Sequence, residues 1–253
     1  MKLLSFLVLA LLIPSSAFAG ELSPQQIIDK TLDQNSTGFQ SGEAKLELRI
    51  RTKDGSERVR MLKILSKKIS EKARTKVVLT APKEVRGQAF LFVERDGDDD
   101  VWIYLPAFGV TRRIAGGQKK GSFLGSHFTY ADFESRDIKD SKYKRMEDVK
   151  IGKHSAYVIE ARPKDTNDSE YDRIVVYVRK SDFITLKAKF FKKAKLEKTI
   201  FVDLLDKTKS GRTYAKKLSV VSAKGGKTTM LVRSLKDDVE IAEAALSKDN
   251  LGK

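Results

Sequence analysis

The chain has 253 residues, 40% of them hydrophobic, with no cysteine and a formal net charge of +16. That length can bury a sizeable core without cross-links. The absence of cysteine excludes disulfides and lipid attachment to an N-terminal thiol, and 50 Lys+Arg against 34 Asp+Glu favour acidic partners.

Lys2, the apolar run Leu3 to Ile13 and the triplet Ala17-Phe18-Ala19 read as a secretory signal cleaved before Gly20. The run is short of the ~20 residues that cross a bilayer. Residues 1–19 are therefore expected to be a leader, and 20–253 a single exported, soluble domain. Export disfavours nucleic acid as the acidic partner and leaves an anionic membrane surface or lipid headgroup.

Ser23-Pro24 is an N-cap and first-turn pair, and Ile27, Ile28 and Leu32 form one apolar stripe, so a helix is expected over Pro24 to Gln34. Asn35-Ser36-Thr37-Gly38 ends it. The period then becomes two. Ala44, Leu46, Leu48 and Ile50 alternate with Lys45, Glu47, Arg49 and Arg51, a half-buried strand. Asp54-Gly55 turns into a second strand around Val59 to Leu65, where the apolar register slips between Met61 and Leu62 and predicts a bulge.

Further strands follow from Lys76 to Ile114 and again from Tyr157 to Arg233. In one of them Ile184, Leu186, Ala188 and Phe190 share a face while Lys187 and Lys189 point the other way. The series amounts to about eleven strands joined by short turns, which suits an antiparallel barrel or curved sheet. The excess lysine and arginine falls on outward strand faces and in turns. It can serve solubility alone or contact an acidic partner.

Catalytic patterns are absent where they would be sought. His127 and His154 stand alone without metal-ligand spacing. Asp96, Asp98, Asp99 and Asp100 begin like a calcium loop, but Val101 stands where glycine is required and Ala107 where glutamate is. Gly116 to Ser122 has P-loop spacing with Ser122 in place of the lysine. Gly121-Ser122-Phe123-Leu124-Gly125 does not place serine between its glycines as a nucleophile elbow does. Ser126, His127 and Asp132 could be imagined as a triad, but neighbours on an extended segment face opposite ways. Asn35-Ser36-Thr37 and Asn167-Asp168-Ser169 match glycosylation acceptors, a pattern common by chance. No enzyme, metal or cofactor is expected.

The segment from Trp102 to Phe133 departs from the rest. It holds the only tryptophan, together with Tyr104, Phe108, Phe123, Phe128, Tyr130 and Phe133, interleaved with Gly109, Gly116, Gly117, Gly121 and Gly125. Aromatics among glycines suit a lid over an apolar cavity better than a pleated strand. The stretch Trp102-Ile103-Tyr104-Leu105-Pro106-Ala107-Phe108-Gly109-Val110-Thr111-Arg112-Arg113-Ile114, with Gly125-Ser126-His127-Phe128-Thr129-Tyr130-Ala131-Asp132-Phe133, resembles the outer-membrane lipoprotein-sorting (LolA-like/LolB-like) family. The branch it is most similar to is the one associated with RND-type lipid exporters.

That resemblance covers essentially all of 20–253. It implies a mostly β protein with a few helices, a half-open antiparallel barrel plugged by helices, and an apolar cavity for acyl chains. It implies a periplasmic carrier of lipid or lipoprotein, an RND-type permease as partner, and contact with an anionic membrane. His127 stands where the family usually has Asp, and Ala131 where Glu is common. The candidate lipid-binding residues are Phe90, Phe92, Trp102, Tyr104, Phe123, Phe128 and Phe133. Alternation puts Phe90 with Phe92 and Trp102 with Tyr104. Gly116, Gly117, Gly121 and Gly125 are the candidate hinges of the lid. The alternative is a peripheral envelope or transport-complex subunit that carries no cargo.

Overall fold

Period-two alternation builds one antiparallel sheet. The computed structural model describes residues 21–34, 41–134, 136–164 and 169–253. Thirteen strands are found among them: β1 (Ser41–Arg51), β2 (Glu57–Ile69), β3 (Lys72–Ala81), β4 (Ala89–Val93), β5 (Asp100–Leu105), β6 (Val110–Ile114), β7 (Ser141–Ile151), β8 (His154–Pro163), β9 (Arg173–Arg179), β10 (Thr185–Lys192), β11 (Lys195–Lys207), β12 (Thr213–Ser222) and β13 (Lys227–Asp237). The order across the sheet is β6-β5-β4-β3-β2-β1-β13-β12-β11-β10-β9-β8-β7. Chain neighbours pair throughout, except that β1 pairs with β13 while β6 and β7 become the two free edges. The sheet is an open one rather than a closed barrel.

The expected count of about eleven strands is corrected to thirteen. Sequence reading passes over β7 because, at an edge, most of its side chains meet water, so Lys142, Lys144 and Lys150 blur the alternation. The predicted slip appears as a register shift between Met61 and Leu62. The stripe from Ile184 to Phe190 is split by a bulge between Thr185 and Lys187. Ala188 joins one core cluster, and Ile184 and Leu186 another with Ala156.

The helix α1 (Pro24–Gln34) forms as expected. Ser23 Oγ accepts the amide of Gln26, and the Gln26 side chain accepts that of Ser23, a reciprocal cap. Its Ile27 and Ile28 bury against Ile159, Val176 and Ala188 on one face of the sheet. Each such side chain removed from water contributes about 1.5–3 kcal/mol.

The same face, the inner one, carries Leu46, Leu48 and Ile50 of β1, Leu79 of β3 and Phe90 of β4. Segment 115–140 must run from one sheet edge to the other. It does so over this face through three short helical turns, Gly116–Lys120, Phe123–Gly125 and Tyr130–Phe133, and then α2 (Arg136–Lys139). The expected helical plug is thus mostly single turns.

On the outer face, Leu91, Trp102 and Tyr104 are covered by the C-terminal tail through Leu251. Lys76 of β3, 5% exposed, donates to the carbonyls of Asn250 (2.7 Å) and Lys253 (3.0 Å). Lys67 donates to that of Ile241. The expected leader, the stretch 35–38 expected to end the helix, and Asn167 lie outside the described residues. No helix among the described residues is long and apolar enough to cross a membrane.

Candidate functional site

Phe123 of the plug descends onto Phe90, Phe128 packs on Phe133 (5.6 Å), and Phe90, Phe123 and Phe128 are all nearly inaccessible. Phe123 meets Phe90 edge-on at 5.1 Å between ring centroids, Tyr130 at 5.6 Å and Phe133 at 4.8 Å. Phe92 joins through Phe133 (5.4 Å) and Phe123 (6.2 Å). Such contacts add about 0.5–1.5 kcal/mol per pair beyond area burial. Phe133 remains 39% exposed, so the cluster reaches solvent at its rim.

Polar groups fasten the plug on both sides of this cluster. Lys198 of β11 lies on the inner face and forms an ion pair with Asp132, the two side chains 6% and 2% exposed. Tyr171 donates its hydroxyl to Asp132 Oδ1 (3.1 Å), and the Thr129 amide donates to Oδ2 (2.6 Å). The Lys198 ammonium also stands over the rings of Tyr171 (5.1 Å) and Phe190 (5.4 Å). Burial pushes the Lys198 pKa down, opposed by Asp132. Burial pushes the Tyr171 hydroxyl well up, and Asp132 adds to that.

At the other end Lys119, its side chain 6% exposed, pairs with Asp98 (2.9 Å) and Glu134 (2.7 Å). It also donates to the carbonyl of Asp99. The acidic β4–β5 hairpin tip therefore receives the plug's lysine. Burial raises Glu134 to about 6 against the pull of Lys119.

His127 does not join Ser126 and Asp132. Its amide donates to Thr228 Oγ1 (3.0 Å) and its Nδ1 lies 2.8 Å from the same oxygen. Ser126 Oγ accepts the Phe128 amide. Burial lowers the His127 pKa, and nearby Lys198 adds to the fall.

Five of the seven candidate aromatics, Phe90, Phe92, Phe123, Phe128 and Phe133, thus meet on the inner face. Trp102 and Tyr104 do not. Trp102 pairs across from Leu91, and its ring carries Lys248 of the tail at 4.8 Å. Alternation correctly pairs the candidates, and the register shows that the two pairs occupy opposite faces.

Gly116 and Gly125 take φ values of +51° and +72°, which favour glycine. At Gly121 a Cβ would stand 2.9 Å from the Gln118 carbonyl, while nothing crowds Gly117.

Lys119, Glu134 and Tyr171 escape sequence reasoning, and Lys198, expected with the other cations on outward faces or in turns, is instead buried on the inner face, because a buried lysine among 50 Lys+Arg carries no mark of its own. No group of three His, Cys, Asp or Glu among the described residues could hold a metal ion.

An open antiparallel sheet, closed on one face by an aromatic segment that links its two edges, defines the LolA-like class of fold. A protein-family model described as "-like: Uncharacterized protein" matches residues 71–253, and the chain belongs to that family. Three solved structures share the fold. One is a domain assigned to outer membrane lipoprotein sorting from Vibrio parahaemolyticus, 24% identical with a TM-score of 0.83, covering 90% of this chain and 98% of that one. A DUF1329 family protein from Desulfovibrio piger is 24% identical with a TM-score of 0.84, covering 90% and 97%. A LolA superfamily protein from Nitrosomonas europaea is 21% identical with a TM-score of 0.71, covering 90% and 99%. The comparison with curated proteins finds no match.

Proposed function

We propose that the protein is a periplasmic carrier that holds acyl chains of a lipid or lipoprotein against its inner face once the plug lifts. The observation that carries this reading is the plug itself. Its aromatic underside covers an apolar sheet face, while polar groups at its two ends, Lys119 and Asp132, fasten it. Such fasteners can be exchanged for water or partner groups one end at a time. The apolar surface released would shelter acyl chains at about 0.8 kcal/mol per buried methylene. The named likeness of the Vibrio and Nitrosomonas structures supports the same reading. An RND-type permease would be the donor or acceptor that turns the plug aside.

The test is organic extraction and mass spectrometry of protein purified from its native envelope, with uptake of a fluorescent fatty acid measured alongside. Acyl lipid in the extract, and faster probe uptake by Asp132→Asn than by the parent, are expected. No extracted lipid and no uptake by either protein would sink the carrier. A second reading, a peripheral envelope subunit without cargo, would then stand on the near-complete burial of Phe123 and Phe128, which makes the inner face an ordinary core.

A further inference from the structure

The outer face of β1, β13 and β12 contains a concavity of about 300 Å³ lined by Glu47, Arg49, Lys217, Thr229, Leu231 and Arg233. Its construction follows from register. Glu47 stands across from Leu231, which stands across from Lys217, and Arg49 stands across from Thr229. A register shift between Lys45 and Leu46 leaves Arg233 as the extra residue of β13, and its guanidinium folds back onto Glu47. The neighbouring residues Leu46, Leu48, Met230 and Val232 belong to the inner core, so this concavity is on the side of the sheet away from the plug.

Three cations line the concavity with Glu47, and Glu57 pairs with Arg49 from beside it at 2.5 Å, so Lys217 is the cation of the lining that no carboxylate among the described residues engages. Glu47 is enclosed by both guanidiniums, with Arg49 at 3.0 Å, and Arg233 outweighs burial in holding its carboxyl below the usual range. It fixes the two arginines rather than opposing an incoming anion. Lys217 has no ion-pair partner among the described residues, and Thr229 offers a hydroxyl. Rigid guanidinium forks with a neighbouring ammonium match the oxygens of a phosphate.

The row that contains Thr229 continues across the sheet on the same face: Arg49, Thr229, Ser219, Phe201, Lys187, Tyr177. Lys187 lies over both the Phe201 and Tyr177 rings at 5.2 Å. A lysine resting on half-buried aromatic rings is an arrangement suited to the boundary between headgroups and acyl chains. A free phosphate would make no use of it.

We propose that this outer-face concavity binds the phosphate of an anionic phospholipid headgroup, through Arg49, Arg233, Lys217 and Thr229, with Phe201 and Tyr177 against the interface. It goes beyond the carrier reading above and needs no acyl chain on the inner face. Docked this way, the protein keeps its plug turned from the bilayer and accessible to a partner protein.

Cosedimentation with phosphatidylglycerol-containing vesicles, against phosphatidylcholine vesicles, tests it on the whole exported chain. Lys217→Gln, which breaks no ion pair, is expected to weaken binding about fivefold, the effect of a lysine held near an anionic surface. Lys195→Gln, at the exposed start of β11, is expected to change it far less. Phe201→Ala is expected to weaken vesicle binding while leaving that of soluble glycerol phosphate unaltered. Equal losses at Lys217 and Lys195 would mean diffuse charge attraction and overturn the site. Vesicle binding that is unaffected by Phe201→Ala and no stronger than that of glycerol phosphate would overturn the membrane source. These outcomes are read with the plug intact, so failure of the carrier assay leaves them unchanged.

Discussion

Lys198 and Asp132 face each other among Tyr171, Phe190 and the plug, nearly out of reach of water. Removing one charge from such a pair leaves the other buried and uncompensated, at a cost of about 3–5 kcal/mol. Asp132→Ala is expected to lose that much in urea unfolding. The pair Asp132→Leu with Lys198→Met should recover most of it, because desolvation of both ions is then avoided. A double variant no more stable than the single would show that the pair contributes more than its burial costs. Glu134 predicts a pH effect of the opposite kind to an ordinary carboxylate. Its pKa rises from 4.5 to about 6 in the folded protein, so the fold binds its proton more tightly than the unfolded chain does. Stability from this group is full below pH 4.5 and is lost as pH rises through 6. Glu134→Gln should flatten the stability profile across that window, as read by urea melts at successive pH values.

At the scale of elements, the turn between β12 and β13 is held against the plug. Gly226 has φ +89°, and a Cβ there would stand 2.5 Å from His127 Nε2 and 2.9 Å from the Arg51 carbonyl. Gly211 has φ +87° with open space around it. Gly211→Ala should therefore cost only the left-handed backbone strain, about 1–2 kcal/mol. Gly226→Ala should cost clearly more, seen as a larger fall in Tm. The C-terminal tail offers a second test. Leu251 is 1% exposed against the sheet that holds Trp102, the only tryptophan. Leu251→Ala should cost about 2–5 kcal/mol. If the tail loosens, Trp102 emission moves to the red with greater acrylamide quenching. An unchanged spectrum would mean that the tail stays docked through Lys76 and Lys248.

For the whole molecule, a net charge of +16 sets how strongly an acidic surface attracts it, and salt sets the range over which that is felt. Screening shortens that range from about 30 Å at 0.01 M salt to about 10 Å at 0.1 M. Capture by anionic vesicles should slow steeply over that interval, measured by stopped-flow light scattering, whatever pocket finally holds the headgroup. Salt-independent capture would remove electrostatics from the docking step. The β1–β13 pairing joins the beginning and end of the described sheet and unites the β2–β6 and β7–β12 halves in one fold.

Local chemistry in the sequence was enough to determine α1 with its Ser23 cap, most strands, the bulge beside Met61 and the pairing of Phe90 with Phe92 and Trp102 with Tyr104. Each depends on the period of side chains along a few residues, and a period is written in consecutive letters. The edge strand β7 was hidden because its exposed faces have no apolar period to read. Tertiary structure alone decided that Trp102 lies beneath the tail while Phe90 lies beneath the plug. It alone chose Lys119 and Lys198 from the chain's many cations as buried anchors, and assembled Glu47, Arg49, Lys217 and Arg233 from three strands. The physical reason is that facing and burial depend on which distant strand lies alongside. That choice is made by the whole sheet, and no single segment encodes it.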